Sequence, residues 1–303
     1  TGVLCEEETV APWLLMYYLA GDNDLGEPDN VIDGDFMYIA QRARGNPNIN
    51  VAVFHDTDYI PASRYVGFRG GQAGEVYAKP ELNTGAPETL QDFVAWAMAE
   101  YPAAHHALII VDHGHGLSGV AVDETAGKDW LTPTELREAL GGGDVLYMEA
   151  CLTAQLEMEY ELRDGAHYYV ASQSIGLGPR PHSYIGGIDE TTTPSELALS
   201  MAQDYYSAVT AGDKPPPPTT VSVVRLSDVN VVRERAYQLA SSLRANWADV
   251  KDDVWALTDV SELQRFDDDY DGIDNFDEIA DLYCFASLVR NRVLVDDVQA
   301  AAD

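Results

Sequence analysis

Short apolar runs and amphipathic stretches alternate along this chain. Residues 13–19, 50–54 and 107–111 are strongly apolar, which is the pattern of strands buried on both faces of a sheet. Residues 30–43 and 87–101 instead carry their apolar positions on one side, as expected for helices that cover a sheet. This alternation predicts an α/β fold with a mostly parallel central sheet and helices on both faces.

The second half of the chain continues the same alternation. The pattern predicts strands at 145–151, 167–172 and 220–226 and helices at 132–140, 154–163, 193–209 and 229–247. The helices that follow Thr132 and Thr193 both begin with a Thr-Pro pair and carry Glu three residues after the Thr, which is the signature of a capping box. Residues 64–82 are typical of a hairpin, and 114–131 and 173–190 of loops. We treat residues 1–303 as a single domain.

Reactive side chains stand at the ends of two of these buried strands. One run leads into His113 and Gly114, and the run from Val145 leads to Cys151. The segment between them fits one strand–helix–strand crossover, which brings the carboxyl ends of both strands to the same sheet edge. Catalytic sites of open α/β sheets form at that edge. We therefore predict Cys151 as a nucleophile with His113 as its base, and an oxyanion bound by the amides of Gly114 and Cys151.

A metal site is the alternative chemistry for the same region. His113 and His115 have a His-x-His spacing, and Asp112 and Asp123 offer carboxylates nearby. Glycines beside both histidines indicate a loop, however, and no third ligand follows in a recognisable spacing. This alternative predicts a metal-dependent hydrolase, sensitive to chelators but not to thiol reagents.

Composition restricts the class of partner. The formal net charge is −33, from 51 acidic and 18 basic residues, and such a surface repels nucleic acid and anionic membranes. The charge also suits a saline habitat, where screening relieves self-repulsion. No apolar run is long enough to span a membrane. We expect a monomer that acts on proteins or peptides.

The cysteines and the first residue bear on processing and location. An odd count of three cysteines leaves at least one thiol without an intramolecular partner, and pairing of Cys5 with Cys284 would leave Cys151 free. The chain begins at Thr1 rather than Met, so we expect that an upstream segment was removed. Low cysteine usage, together with the calcium binding that residues 267–278 predict, suits an extracellular or cell-envelope protein.

An acidic segment near the carboxyl end fits the calcium-loop template. Residues 267–278 carry acids at positions 1, 3 and 5, glycine at position 6 and glutamate at position 12. Position 8, usually apolar, is Asp274, which favours a lone loop inserted in the domain over a paired, helix-flanked one. The predicted Ca²⁺ ligands are Asp267, Asp269, Asp271, Ile273 through its carbonyl, and Glu278.

Several of these segments, taken in order, resemble one known family. The segments are Tyr18 to Leu25, Asp112-His113-Gly114 with Gly116, Asp123-Glu124, Leu131-Thr132, Glu149-Ala150-Cys151 and Asp281-Leu282-Tyr283. Together they resemble the clostripain family of cysteine endopeptidases, which share the three-layer α/β/α fold of caspases, gingipains and legumains. The resemblance implies a catalytic dyad of His113 and Cys151, and several members of that family need calcium.

The resemblance also implies a specificity site and a processing site. The acid two residues before the cysteine lines the pocket for a basic P1 side chain in this family, and Glu149 stands there, where Asp is commoner. The loop 173–190 is expected to form another wall, although its Arg180 departs from a purely acidic pocket. Family members are often cut between the histidine and the cysteine, and the Lys128–Asp129 bond is a candidate for self-cleavage.

Besides the metal-dependent hydrolase, two functions remain open from the sequence. The first is a calcium-dependent cysteine endopeptidase, made as a zymogen, that cleaves after Arg or Lys. The second is a non-catalytic calcium-binding surface module of the same fold. A reactive thiolate at Cys151 would favour the enzyme.

Overall fold

The structure, a computed structural model, describes residues 10–72, 74–176, 180–211, 219–266 and 279–303. In chain order the strands are β1 (Ala11–Leu19), β2 (Ile49–Thr57), β3 (Ile60–Arg69), β4 (Glu75–Ala78), β5 (Ala103–Val111), β6 (Val120–Asp123), β7 (Asp129–Leu131), β8 (Val145–Glu149), β9 (Tyr168–Ala171), β10 (Ser222–Arg225), β11 (Arg265–Phe266) and β12 (Ile279–Ala280). The α-helices are α1 (Val31–Gly45), α2 (Pro87–Glu100), α3 (Pro133–Ala139), α4 (Leu156–Glu161), α5 (Pro194–Thr210), α6 (Val229–Ala245), α7 (Trp247–Leu257), α8 (Leu282–Arg292) and α9 (Asp296–Ala301).

One eight-stranded sheet organises the described chain, in the order β10-β9-β8-β5-β1-β2-β3-β4. The five strands from β9 to β2 run parallel to one another, and β10, β3 and β4 are antiparallel to their neighbours. The predicted mostly parallel sheet is therefore confirmed. The strand order also makes β5 and β8 direct neighbours, which decides where their carboxyl ends lie.

Helices cover both faces of this sheet. On one face, even-numbered residues of β1 and β5 pack with α2, α3 and α4, and the ring centroids of Tyr18 and Phe93 lie 6.1 Å apart. On the other face, odd-numbered residues such as Tyr17 pack with α1 and α5. Side chains alternate between the faces of a strand, so a strand buried on both faces needs a continuous apolar run. The result is the three-layer α/β/α sandwich that the sequence predicts.

The carboxyl-terminal helices build a smaller cluster of their own. Residues from α6 to α9 form it, with Leu239, Val250, Val289 and Val298 among its buried members. The sequence predicts the first of these helices but not α7, α8 or α9. Within the described ranges, no helix is both long and apolar enough to cross a membrane.

Local signals set several boundaries as expected. Thr132 and Thr193 both form complete capping boxes, in which each threonine accepts from the amide of the glutamate three residues on and that glutamate accepts in return. One expectation differs. Residues 114–131 are not a plain loop, because β6 and β7 pair there as a small antiparallel hairpin. The turn between them holds Gly127 and Lys128 at φ 85° and 62°.

Candidate active site

His113 and Cys151 lie at matching positions beyond two paired strands. The parallel register of β5 and β8 runs from Ala107 with Val145 to Val111 with Glu149. His113 and Cys151 each follow that last pair by two residues. The expectation that both residues leave the same edge of the sheet on neighbouring strands is therefore met.

Gly114 brings the two strand ends into backbone contact. A Cβ atom on this residue would lie 2.2 Å from the carbonyl oxygen of Cys151 and 2.9 Å from its amide nitrogen. Only glycine tolerates so close an approach. Within the described residues neither the Gly114 amide nor the Cys151 amide donates a hydrogen bond. Two adjacent free N–H groups are what an oxyanion requires.

The chain makes a strained turn immediately after the cysteine. Leu152 has φ 58°, in the left-handed region that a branched side chain rarely adopts. Its amide donates to Ser174 at 3.2 Å, which ties the turn to the segment following β9. The amide of Gly176 in that segment lies 3.4 Å from the Cys151 Sγ. The segment after β9 therefore touches the cysteine at both its backbone and its sulfur.

An aspartate from a distant loop contacts the histidine. The Asp24 carboxylate lies 2.6 Å from the His113 Nε2, and both side chains are partly open to solvent. The side chain of Asn23 holds this loop, because it donates to Asp112 at 2.8 Å and to the carbonyl of Val122 at 3.0 Å. A carboxylate bound to one ring nitrogen fixes the tautomer and leaves Nδ1 as the nitrogen for proton transfer.

Glu149 does not line an open pocket but belongs to a buried charge cluster. Its side chain is 2% exposed and lies 3.5 Å from Arg180 Nε and 3.7 Å from His182 Nδ1. Asp35 of α1 lies 3.7 Å from Arg180 and 3.5 Å from His182. Two acids thus face two bases in one cluster, which we call the Glu149 cluster. The arginine that seemed out of place in an acidic pocket is the counter-ion of Glu149.

Burial and neighbouring charges together shift the pKa values in this cluster. It raises the pKa of Glu149 to about 7, opposed by the positive charges of His182 and Arg180. The pKa of His182 is raised as well, because Glu149 and Asp35 outweigh the desolvation of its ring. The cluster therefore gains protons more easily than free side chains would.

Little free space remains beside Glu149. A cavity of about 20 Å³ lies there, lined among others by Tyr147, Gly176 and Arg180. That is room for about one water molecule and not for an arginine or lysine side chain. A larger depression of about 870 Å³, which Gly143 and His167 line, lies where β8 and β9 begin, at the opposite edge from Cys151.

The other predicted residues fall in three places. Lys128 is exposed on the β6–β7 turn and pairs with Glu124 at 3.4 Å, while Asp129 begins β7 and accepts from Asn83 at 2.7 Å. In the described residues, no group of three or more close metal-ligating side chains includes His113 or His115. The geometry therefore does not support the hypothesis of a metal site at His113 and His115. The predicted calcium loop, residues 267–278, and Cys5 lie outside the described residues.

The sequence profile of the Clostripain family matches residues 17–292. The chain belongs to the clostripain family. Clostripain from Hathewaya histolytica is 24% identical to it over 210 residues, which cover 54% of this chain and 39% of that protein. The match thus spans well under half the length of this curated relative.

Solved structures of clostripain-type proteases share the fold. A secreted cysteine protease from Bacteroides thetaiotaomicron in complex with an irreversible peptide inhibitor gives a TM-score of 0.70 at 18% identity, covering 96% of this chain and 81% of that one. An inactive zymogen protease from Parabacteroides distasonis gives a TM-score of 0.70 at 19% identity, with coverages of 97% and 81%. At these identities the likeness shows the caspase-like fold.

Sequence reasoning missed Asp24, Asp35, Gly176 and His182 as parts of this site. Asp24 and His113 are 89 positions apart, and Arg180 is 31 from Glu149. A signal was present for Asp24, because the segment Tyr18 to Leu25 belongs to the family resemblance and continues beyond β1, the strand that neighbours β5. Gly176 and His182 lie in the loop 173–190, which is expected to form a wall of the pocket, but nothing in the sequence singles them out. Nothing in the local pattern pairs Asp35 with His182.

Proposed function

We propose that this clostripain-family chain is a cysteine endopeptidase with Cys151 as nucleophile and His113 as general base. The observation that carries the proposal is the adjacency of β5 and β8, which delivers both residues to one sheet edge, with the Gly114 backbone against that of Cys151. Asp24 at the His113 Nε2 supports the same assignment. The arrangement suits acyl transfer better than binding alone.

The reaction proceeds in two stages on these residues. His113 takes the proton of the Cys151 thiol, and the sulfur attacks the scissile carbonyl carbon to give a tetrahedral oxyanion that the Gly114 and Cys151 amides bind. The C–N bond breaks as His113 returns its proton to the leaving amine. Water, deprotonated by His113, then hydrolyses the thioester and regenerates the thiol. Asp24 stabilises the imidazolium that forms in both stages.

Alkylation combined with hydrolysis tests this assignment. We expect wild type to hydrolyse fluorogenic peptides and to react with iodoacetamide at neutral pH, with Cys151 modified before Cys284. Cys151→Ala and His113→Ala should both lose hydrolysis, and His113→Ala should also slow alkylation. Cys284→Ser is the matched control and should keep both activities. Slow alkylation without hydrolysis in wild type would favour a non-catalytic surface module.

The proposal extends to substrates with Arg or Lys at P1, bound through Glu149. A basic P1 side chain would have to take the position of Arg180 at the Glu149 carboxylate, because the cavity beside it holds no more than about one water. A fluorogenic panel with Arg, Lys, Asp and Asn at P1 tests this. We expect Glu149→Gln to weaken the preference for Arg and Lys, and an unchanged preference would assign P1 recognition to other residues.

Self-cleavage between Lys128 and Asp129 is also part of the proposal. Lys128 is 71% exposed in a turn with positive φ, so the bond is accessible to a protease site. Gel analysis of wild type against Cys151→Ala tests it, with Lys128→Gln as the specific variant. Identical processing of wild type and Cys151→Ala would exclude self-cleavage.

Calcium dependence through residues 267–278 and an extracellular or cell-envelope location complete the proposal. The calcium-loop spacing supports the first. The secreted relative and the net charge of −33, which suits saline surroundings, support the second. We propose a monomer. Calorimetric titration that shows equal calcium uptake by wild type and Asp271→Ala would exclude this loop as the binding site.

A further inference from the structure

A second group of carboxylates lies beside the active-site loop and apart from the Glu149 cluster. Asp22 follows β1, Asp56 is on β2, and Glu81 lies between β4 and α2. One carboxylate oxygen from each comes within 4.8 Å of the others. Asp123 lies against Asp22 as a fourth acid. We call these four residues the Asp56 cluster.

Asp56 is the member that lacks a protein partner. It is 0% exposed, and neither of its carboxylate oxygens has a hydrogen-bond partner among the described residues. Burial of a carboxylate without a partner costs folding free energy, so such groups are normally paired or bound to a metal ion. The neighbours of Asp56 do not supply a compensating positive charge, because no member of the cluster forms an ion pair with Lys, Arg or His in the described part of the chain.

The cluster has more acidic than basic groups around Asp56. Glu81 and Asp22 each place a carboxylate oxygen within 4.8 Å of an Asp56 carboxylate oxygen, so three acidic groups meet at one point. Asp22 is itself only 2% exposed, and Asp123 beside it is 1% exposed. In the Glu149 cluster, by contrast, Arg180 and His182 balance the acids. The Asp56 cluster has negative charge and no cation from the protein.

We infer that Asp22, Asp56 and Glu81 bind a divalent cation, and that this ion is calcium. The donor set consists of carboxylate oxygens without nitrogen or sulfur, which selects a hard cation over zinc or copper. Calcium tolerates an irregular oxygen cage with water in the remaining positions, and Glu81, which is exposed, provides the open side. The amides of Thr84 and Ala126 donate to the Asp123 carboxylate at 2.9 and 2.7 Å. We therefore do not count Asp123 among the ligands, although it lies beside Asp22.

This site connects directly to the candidate active site. Asp22 stands two residues before Asp24, which contacts His113, and Asn23 between them bonds to Asp112. A Cβ on Gly21 would lie 2.5 Å from the Asp56 carbonyl, so the loop packs tightly on β2. An ion that joins Asp22 to Asp56 would fix the loop that carries Asp24. Binding of the ion itself does not depend on peptidase activity.

The test uses the full chain with two background substitutions. Cys151→Ala prevents self-cleavage, and Asp271→Ala removes the calcium loop proposed at 267–278. In this background we expect calorimetric titration with CaCl₂ to show binding and calcium to raise the melting temperature. Glu81→Gln should weaken the calcium affinity at least about tenfold, since affinity follows the number of charged ligands. Its matched control is Glu88→Gln, an exposed acid on α2, which should bind as the background does.

Asp56→Asn should abolish binding, and it should raise the melting temperature measured in EDTA because an unpaired buried acid is removed. If Asp56→Asn does not fold, Glu81→Gln decides alone. The proposal is overturned if the background shows neither heat of binding nor a calcium-dependent melting shift. It is equally overturned if Glu81→Gln binds calcium as tightly as Glu88→Gln does. Neither result depends on hydrolysis, so failure of the peptidase assignment would be seen separately.

Discussion

At the scale of single residues, the contact that adds most to the dyad joins Asp24 to His113. Asp24 lies in the loop after β1, the strand beside β5, and the Asn23 side chain attaches that loop to Asp112 by a hydrogen bond. A carboxylate in this position accepts from the Nε2–H and so orients the imidazole. Its side chain is 71% exposed, so water weakens the interaction and its effect on rate should be moderate.

Replacing Asp24 with Asn tests this role. We expect kcat to fall about tenfold with KM nearly unchanged, because orientation of the base matters for the chemical step and not for substrate binding. Glu27→Gln, an exposed acid on the same loop, is the control and should leave kcat unchanged. The measurement is steady-state hydrolysis of a fluorogenic peptide. A rise in KM at constant kcat would instead assign Asp24 to substrate binding.

Loss of Arg180 should destabilise the folded protein, because this side chain pairs with two buried acids. Arg180→Met removes one of the two counter-ions of the buried Glu149 carboxylate, and breaking such a pair costs about 3 kcal/mol. Adding Glu149→Gln removes the stranded charge, so the double variant should recover part of that loss. Urea unfolding of both single variants and the double variant measures the coupling. Additive losses would mean that Glu149 and Arg180 do not act as a pair.

The pH dependence of unfolding provides an independent test of Glu149. Its pKa in the fold is raised from 4.5 to about 7, so the folded protein binds more protons than the unfolded chain between these values. The stability contributed by this group is full below about pH 4.5 and is lost as pH rises through 7. Glu149→Gln should flatten this part of the profile in urea unfolding, whereas an unchanged slope would place the titration elsewhere.

At the scale of elements, the pairing of β5 with β8 positions the site. Sequence reasoning could predict it because both strands are buried on two faces and so read as continuous apolar runs. It could not predict the β6–β7 hairpin, whose strands of four and three residues are too short for a periodic signal. It also could not find the Glu149 cluster, since periodicity reports the face on which a residue lies and not its partner across the fold.

Gly114→Ala probes the meeting of these two strands. A Cβ there would press on the Cys151 backbone at 2.2 Å, so the strand ends must separate. A shift of about 1 Å at reacting atoms costs about 10²-fold in rate, and we expect kcat to fall by that order. Gly34→Ala on α1, where no atom lies within 4 Å of the added methyl, is the control and should remain active. Full activity of Gly114→Ala would exclude this amide from the oxyanion site.

At the scale of the whole molecule, packing of the core stabilises the fold and the net negative charge destabilises it. The two main clusters of the core cover both sheet faces, while the net charge of −33 favours expansion of the chain. Composition alone predicts this repulsion, but not where the acids gather. The Glu149 and Asp56 clusters are assembled from segments far apart in sequence, which is why the fold was easier to predict than its buried charges.

Salt should therefore stabilise the protein. The Debye length falls from about 30 Å at 0.01 M to about 3 Å at 1 M, which screens most surface repulsion. We expect the melting temperature to rise over this range in NaCl and equally in choline chloride, since the effect is one of screening. A rise in NaCl alone would indicate specific sodium binding, and a fall in both salts would contradict the repulsion argument.

The position of the β6–β7 turn has a consequence for the nicked protein. A cut between Lys128 and Asp129 would divide the sheet between two polypeptides, with β1 to β5 on one and β8 to β10 on the other. The seam between the fragments would then be the β5–β8 ladder itself, with the imidazole on one piece and the thiol on the other. Such halves should co-elute as a noncovalent heterodimer and separate only in denaturant, so each would be inert alone.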